Sequence, residues 1–136
     1  MPWKTTMDRA RQDLREGKRP TTAAGEFVKE EMEHVRRGKH GARSPRQAIA
    51  IGLNKARRAG VPLPPPGKRQ AGSRTRRFSE SARRAGRGEA RDRRPSRRRS
   101  EAVKGALRRE RRSSASHAEL SRQAREASRR RRRKSR

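Results

Sequence analysis

The feature that most constrains this chain is the positive charge of its C-terminal half. Residues 61–136 hold 28 Lys and Arg side chains against 7 Asp and Glu, a net charge of +21. Over all 136 residues the net charge is +29, while hydrophobic residues make up 26% and aromatic residues 2% of the sequence. Such a chain buries too little apolar surface to offset the entropy lost on ordering. We therefore expect most of it to be disordered when alone.

The charge is unevenly placed, and this divides the sequence into three parts. Residues 1–60, here called the head, hold 15 basic and 7 acidic side chains, a net charge of +8. Residues 61–67 contain the run PLPPPG, whose prolines favour extended backbone and cannot continue a helix. These residues are predicted to be a stiff linker. Residues 68–136, here called the basic tail, are predicted to be disordered.

The apolar spacing predicts two helices in the first part of the head. One covers about residues 6–16, with Thr5 or Thr6 as its cap and Gly17 as its stop. The other covers about residues 22–37 with Thr21 or Thr22 as its cap, and it ends at Gly38. Its apolar positions Val28, Met32 and Val35 follow helical spacing.

The best local signals lie in the third predicted helix, over residues 45–59. Ser44 is placed to be its N-cap, and Gln47 falls at the capping-box position. At the other end, Gly60 suits the left-handed position of a Schellman motif, with Val61 as its apolar contact. Its apolar and small residues recur at helical spacing: Ala48, Ile49, Gly52, Leu53, Ala56 and Ala59.

These signals predict an all-α head followed by a largely disordered Arg-rich tail. The helices over 22–37 and 45–59 are expected to form an antiparallel hairpin. The small residues Ala48, Gly52 and Ala56 are expected to allow close helix approach. A unit of about 40 residues is marginally stable alone. We expect dimerisation through the head, or packing of the short helix over residues 6–16 on the hairpin, to supply further burial.

The run 44-SPRQAIAIGLNKARRAG-60, with 25-GEFVKEEMEHVRRGKHGARS-44 before it, resembles a family of small basic bacterial proteins. The shared signature is S-x-x-QAIAIGL-x-x-AR-x-x-G, and the resemblance covers about residues 1–63. Members of the family have no established activity, although some are labelled DNA-binding or plasmid-stabilisation proteins. The resemblance therefore implies no catalytic residues. The basic tail is instead similar to linker-histone-like and protamine-like tails.

Arginine dominates the basic side chains of residues 61–136, of which 25 are Arg and 3 are Lys. The guanidinium group binds phosphates bidentately and stacks on bases, which an ammonium group does less well. We therefore predict that this part of the chain binds nucleic acid. The candidate nucleic-acid-binding residues are Arg46, Lys55, Arg57, Arg58, Arg76, Arg77, Arg83, Arg84, Arg97, Arg98, Arg99, Arg108, Arg109, Arg111, Arg112, Arg129, Arg130, Arg131, Arg132 and Arg133.

A weak repeat, Glu-x-x-Arg/Lys-x-Ala, occurs at residues 80–85, 101–106 and 119–124. An acid three residues before a base supports a helix. We expect short helices at these places once phosphates neutralise the arginines.

Other classes of function find little support in the sequence. The chain has no cysteine, and its three histidines (His34, His40 and His117) are too scattered to predict a metal site. We therefore predict no enzyme activity, no metal and no cofactor. The N-terminus has no apolar signal region and no run is long enough to span a membrane, so we expect a cytoplasmic protein on the nucleoid.

Three functional hypotheses remain. The first is a sequence-tolerant DNA-binding protein, nucleoid- or plasmid-associated, that binds phosphates through its basic tail. The second is an RNA- or ribosome-associated basic protein. The third is a protein-interaction module whose tail only localises it to nucleic acid.

Overall fold

A computed structural model describes residues 2–89 and 96–135 of the chain, and this part is helical, without β-strands. The sequence prediction of an all-α fold is confirmed. The elements in chain order are α1 (Lys4–Arg15), α2 (Pro20–Arg36), α3 (Pro45–Arg58), α4 (Ser73–Gly86), α5 (Arg97–Arg109), a 3-10 turn (Ser113–Ala115) and α6 (His117–Lys134).

The chain forms two compact units, each assembled from separate stretches of sequence. The first unit comprises Met1–Glu31 and Ala50–Pro95. The second comprises Met32–Ile49 and Ser96–Arg136. Helices α2 and α3 contribute residues to both, and each unit combines part of the head with part of the basic tail.

The three helices predicted in the head are confirmed, with small shifts of their ends. The caps of the first two are wrong, because α1 begins at Lys4 after Trp3 and α2 begins at Pro20, which leaves the four threonines within first turns. Proline at the first helical position has no backbone N–H to satisfy, and its fixed φ suits a helix.

Helix α3 has the predicted Ser44 cap, with the Ser44 hydroxyl accepting a hydrogen bond from the backbone N–H of Gln47 at 3.2 Å. The Gln47 side chain in turn accepts from the N–H of Arg43 at 2.6 Å, one residue before the cap. At the other end Gly60 has φ of 97°. The N–H of Val61 reaches the carbonyl of Ala56 and that of Gly60 reaches Arg57, both at 3.1 Å, which completes the predicted Schellman motif.

The core of the first unit surrounds Phe27, which is completely buried. Four of the six other buried residues in its cluster are alanines, and small side chains let helices approach closely. The buried cluster consists of Ala10, Ala23, Ala24, Phe27, Ala56, Val61 and Leu63, with Met7, Leu14, Leu53 and Ala59 packed against it.

Gly52 marks the closest approach between α2 and α3 in this unit. A Cβ atom on Gly52 would lie 2.7 Å from the Cα of Val28 and 3.0 Å from its backbone nitrogen. One turn further along each helix, Lys55 forms an ion pair with the buried Glu31. The predicted close approach at Gly52 is therefore confirmed.

The proline-rich segment packs on this core. Val61 and Leu63 are 5% and 6% exposed, and Leu63 belongs to the apolar cluster. Helix α4 follows this segment and lies in the same unit. A Cβ atom on Gly86 of α4 would overlap the carbonyl oxygen of Arg57, so the end of α4 touches the end of α3.

The second unit is held by backbone contacts between the loop after α2 and the segment after α5. The N–H of Gly41 donates to the carbonyl of Leu107 at 2.7 Å, and that of Ala42 donates to Arg111 at 2.9 Å. The hydroxyl of Ser114, completely buried, donates to the carbonyl of Ala42. These contacts order a part of the chain that contains few apolar residues.

The prediction of a disordered basic tail is wrong for residues 68–89 and 96–135, where the structure has three α-helices. Helix α4 is ordered by packing, but no residue of α5 or α6 is buried. Local hydrogen bonds at their N-terminal ends stabilise these two helices. Ser96 caps α5 by accepting from the N–H of Arg99 at 3.2 Å, and Ser116 caps α6 by accepting from Glu119 at 3.3 Å.

Candidate nucleic-acid interface

Helix α6 ends in the densest group of positive charges in the chain. Residues 129–134 read RRRRRK, and every one of them is exposed. Because successive residues of a helix rise by about 1.5 Å and turn by about 100°, six cations project in all directions within about 9 Å of helix axis. Arg129, Arg132, Arg133 and Ser135 line an open cleft of about 440 Å³. A cleft lined by guanidinium groups can accept several phosphate oxygens at once.

Helix α5 places basic residues at both of its ends. Arg97, Arg98 and Arg99 occupy its first turn, which contains no acidic residue. The N-terminal end of a helix carries partial positive charge, which disfavours cations there. Glu101 offsets this for Arg97, with which it pairs at 3.1 Å, and an external anion would offset it for Arg98 and Arg99. Arg108 and Arg109 lie exposed in its last turn, where the helix dipole favours cations.

The second unit has little acidic charge to neutralise these arginines. Its sequence stretches hold 22 Lys and Arg against 5 Asp and Glu. Most of these acids form local pairs with arginines three or four residues away, such as Glu101 with Arg97 at 3.1 Å and Glu119 with Arg122 at 3.0 Å. Surface pairs of this kind contribute little to stability, and they leave most of the arginines available to an external anion.

Helix α4 carries four predicted site residues in two environments. Arg77 and Arg84 are exposed, whereas Arg76 and Arg83 are half-buried. Glu80 lies 3.9 Å from both Arg83 and Arg84. Within the described residues, the Nε atoms of Arg76 and Arg83 are buried and lack a hydrogen-bond partner.

Beside the start of α4 lies a second cleft, of about 390 Å³. It is lined by Pro65, Pro66, Ser73, Arg76, Arg77 and Glu80. Arg76 and Arg77 bring positive charge to this cleft, and the Glu80 carboxylate brings one negative charge to it.

Two predicted site residues have structural roles instead. Arg57 is 6% exposed, and its guanidinium donates to the carbonyls of Leu63 at 3.3 Å and Pro64 at 2.9 Å. It also donates to the Asn54 side chain at 2.8 Å and reaches the buried Ser79 hydroxyl of α4 at 3.5 Å. Arg57 therefore fixes the proline-rich segment and α4 to α3. Burial lowers the pKa of its guanidinium from the usual value.

Lys55 is the second predicted site residue that has a structural role. Its ammonium group pairs with Glu31, whose side chain is fully buried, so its charge is already balanced within the first unit. Arg46 and Arg58 on α3 are exposed, as a phosphate contact requires.

Arg111 and Arg112 lie in the segment that docks on the loop of the second unit. The Arg111 guanidinium donates to the carbonyl of Arg43 at 3.3 Å. Both side chains remain exposed, so structural contact and phosphate contact are compatible here. The candidate residues on α5 and α6 are exposed in the same way.

The three copies of the Glu-x-x-Arg/Lys-x-Ala repeat lie in the helices α4, α5 and α6. That phosphate binding induces these helices stays a prediction. The expected acid–base pair forms in the first and third copies, Glu80 with Arg83 and Glu119 with Arg122. In the second copy Glu101 pairs with Arg97, four residues before it.

The structure also reveals features that the sequence reading missed. His34 and His40, treated as scattered, lie together in the second unit with ring centroids 6.0 Å apart and planes at 79°. Phe78, one of three aromatic residues in the chain, is 57% exposed on α4, with the Arg74 guanidinium 5.8 Å from its ring centroid. The spacing of Arg74 and Phe78, four residues apart in a helix, was the signal available for that pair.

Comparisons with protein-family models, with curated proteins and with solved structures find no match for this chain. The family resemblance of residues 1–63 therefore stays a prediction. Among the residues that the structure describes, no helix is both long and apolar enough to cross a membrane.

Proposed function

We propose that this protein binds duplex DNA with little sequence preference, through arginines on α4, α5 and α6. The observation that carries the proposal is the surface of α5 and α6. Neither helix buries a residue, yet they contain fourteen Lys and Arg residues with only three Glu. A helix that is polar on every side gains little from packing. A polyanion would neutralise the repulsion between its cations and so stabilise it.

The proposed contacts are mainly to phosphates. Arginine forks match phosphate oxygens bidentately, and contacts to the backbone do not distinguish one sequence from another. An α-helix fits the major groove of DNA, about 12 Å wide. With cations on all sides at its end, α6 would contact phosphates on both edges of such a groove.

The aromatic content favours duplex over single strands. Proteins that hold single strands use several aromatic side chains as stacking platforms. Here Phe27 lies in the core and Trp3 is half-buried, which leaves Phe78 as the exposed aromatic side chain among the described residues. We therefore propose a nucleoid- or plasmid-associated role, with a homodimer as a proposed further state.

The test is a DNA titration of the full chain at several salt concentrations. A fluorescent duplex of random sequence, followed by anisotropy, gives the affinity at each concentration. If about ten phosphates are contacted, the logarithm of the affinity falls against the logarithm of salt with a slope of about −9. A second duplex of unrelated sequence is expected to give the same curve.

A charge-matched pair of variants locates the interface. The first variant changes Arg129–Arg133 of α6 to glutamine. The second removes an equal number of charges from the first unit by the same change to glutamine. Its substituted residues are all exposed: Lys4, Arg9, Arg11, Arg15 and Arg19. Losing five phosphate contacts would make the slope shallower by about 4.5. We expect that change in the α6 variant and a much smaller one in its match, whereas equal losses would contradict a specific interface.

The proposal is overturned by tighter binding to structured RNA than to duplex DNA at equal salt, which would favour the ribosome-associated alternative. It is also overturned if the full chain fails to bind DNA at 100 mM salt. That outcome would favour a protein-interaction module.

A further inference from the structure

Helix α4 buries its small residues and exposes its largest apolar residue, which is the reverse of the usual pattern for a surface helix. The residues that pack against the rest of the first unit are small: Ser79 and Ala82 are 2% and 1% exposed, and Gly86 touches the carbonyl of Arg57. The largest apolar side chain of α4, Phe78, is 57% exposed. An amphipathic helix usually buries its largest apolar residue. The helix is therefore docked by its small face and presents Phe78 outward.

The surroundings of Phe78 are basic. Arg74 lies one turn before it with its guanidinium 5.8 Å from the ring centroid. Arg77 and Arg84 are exposed on the same helix, about 100–120° round its axis from Phe78. Glu80, the acidic residue of this helix, is half-buried and paired with Arg83 and Arg84. A second copy of this face would bring like charges together, so its charge opposes self-association through Phe78.

We propose that Phe78 is a wedge that enters the base stack of nucleic acid, with the arginines beside it holding the adjacent phosphates. This rests on the proposed function and adds a specific mode of contact to it. Proteins that bend DNA insert apolar side chains between base steps and partly unstack them, while neighbouring cations bind the backbone. Phe78 supplies the apolar side chain. Arg74 supplies a cation beside the ring, and the exposed Arg77 and Arg84 supply further cations on the same helix.

The packing of α4 makes such a wedge rigid. Gly86 is in backbone contact with α3, and Arg57 reaches Ser79 from α3 while also holding the carbonyl of Pro64. The segment before α4 and its inner face are therefore both fixed. An inserted side chain must resist being pushed back by the bases, so a helix anchored at both positions suits this role better than a free one.

The experiment uses the full chain and a duplex that carries the fluorescent base 2-aminopurine, whose emission rises when it unstacks. Anisotropy on the same samples gives affinity and salt slope. Wild-type protein is expected to raise the 2-aminopurine emission, and Phe78→Leu, which keeps an apolar wedge, is expected to retain most of the rise. Phe78→Ala is expected to lose it and to weaken binding about tenfold with an unchanged salt slope, because stacking is lost while phosphate contacts remain.

Val103→Ala is the matched control, because Val103 on α5 is the other large apolar side chain exposed in the described residues, at 55%. It should leave emission and affinity unchanged. Circular dichroism is expected to be the same for all variants, since the altered side chains are largely exposed.

The outcomes separate this inference from the proposed function. Binding with the expected salt slope but with no rise in emission, or with the same rise for Phe78→Ala, overturns the wedge and leaves DNA binding intact. Absence of DNA binding by the wild-type chain overturns both. If Phe78→Ala converts a dimer to a monomer in sedimentation without DNA, Phe78 is a subunit contact and the wedge is likewise overturned.

Discussion

The backbone N–H of Gly41 donates a hydrogen bond to the carbonyl oxygen of Leu107 at 2.7 Å. Gly41 lies in the loop between α2 and α3, and Leu107 lies near the end of α5. This bond therefore joins the head to the basic tail within the second unit. A Cβ atom on Gly41 would overlap the carbonyl oxygen of Glu110, so only glycine allows the two backbones to come this close.

Gly41→Ala is expected to destabilise the second unit. The new methyl group would push the loop away from residues 107–111 and break two backbone hydrogen bonds, a loss on the order of 2–3 kcal/mol. Gly105→Ala is the control, because a Cβ there meets nothing within 4 Å. In the interior of α5 alanine is favoured over glycine by about 0.5–1 kcal/mol. The midpoint temperature of thermal unfolding should fall for Gly41→Ala and rise for Gly105→Ala. A shift in the same direction for both variants would contradict the docking of this loop.

Arg57→Met tests the structural role of Arg57. Methionine keeps much of the length of the side chain but leaves the carbonyls of Leu63 and Pro64 without their donor, which should destabilise the first unit by about 2–4 kcal/mol. Arg58→Met changes the exposed neighbour and should alter stability by less than about 0.5 kcal/mol. Denaturant unfolding distinguishes the two. If Arg57 contacted phosphates instead, its substitution would weaken DNA binding and leave stability unchanged.

The helices of the head could be predicted because their signals are local. Ser44 and Gly60 fix the two ends of α3 through backbone geometry that a few neighbouring residues determine. The start of α2 at Pro20 was missed, although proline at the first helical position is likewise a local signal. The close approach at Gly52 was also accessible, since a small residue in an apolar stripe marks a place where helices can touch. None of these inferences required knowledge of distant parts of the chain.

The order of the basic tail was not accessible, because it does not come from apolar burial. Composition rules count large apolar side chains. Helix α4 instead packs through Ser79, Ala82 and Gly86. Backbone bonds from Gly41 and Ala42 hold the end of α5 and the segment after it. These contacts join residues far apart in sequence, which no local pattern encodes.

One part of the candidate site could be predicted from the sequence and another part could not. Exposed arginines on α5 and α6 follow from charge density alone. Arg57 was predicted to contact phosphate because it is an arginine. Its structural role depends on where the carbonyls of the proline-rich segment lie, which the sequence does not indicate.

Ser116→Ala should reduce the helicity of α6. No residue of α6 is buried, so the cap on the N–H of Glu119 is one of the few interactions that favour the helix, and its loss costs about 1 kcal/mol. Ser128→Ala, in the interior of the same helix, should raise helicity slightly because alanine has the better propensity. Circular dichroism at low salt measures both. Added duplex DNA is expected to restore helicity to Ser116→Ala, and a helicity that stays low in the complex would count against binding by a helical α6.

The final prediction separates the charge of α6 from the chemistry of its arginines. Changing Arg129–Arg133 to lysine keeps five positive charges but replaces planar forks with point charges that cannot bind a phosphate bidentately. The salt slope should stay near that of the wild-type chain, because the number of neutralised phosphates is unchanged. Affinity at fixed salt should fall by about three- to tenfold, corresponding to about 0.7–1.4 kcal/mol.

The glutamine variant of the same residues provides the comparison, since it should lose both slope and affinity. A lysine variant that binds as tightly as the wild-type chain would show that α6 acts through net charge alone. Its guanidinium-lined cleft at Arg129, Arg132 and Arg133 would then have no part in recognition.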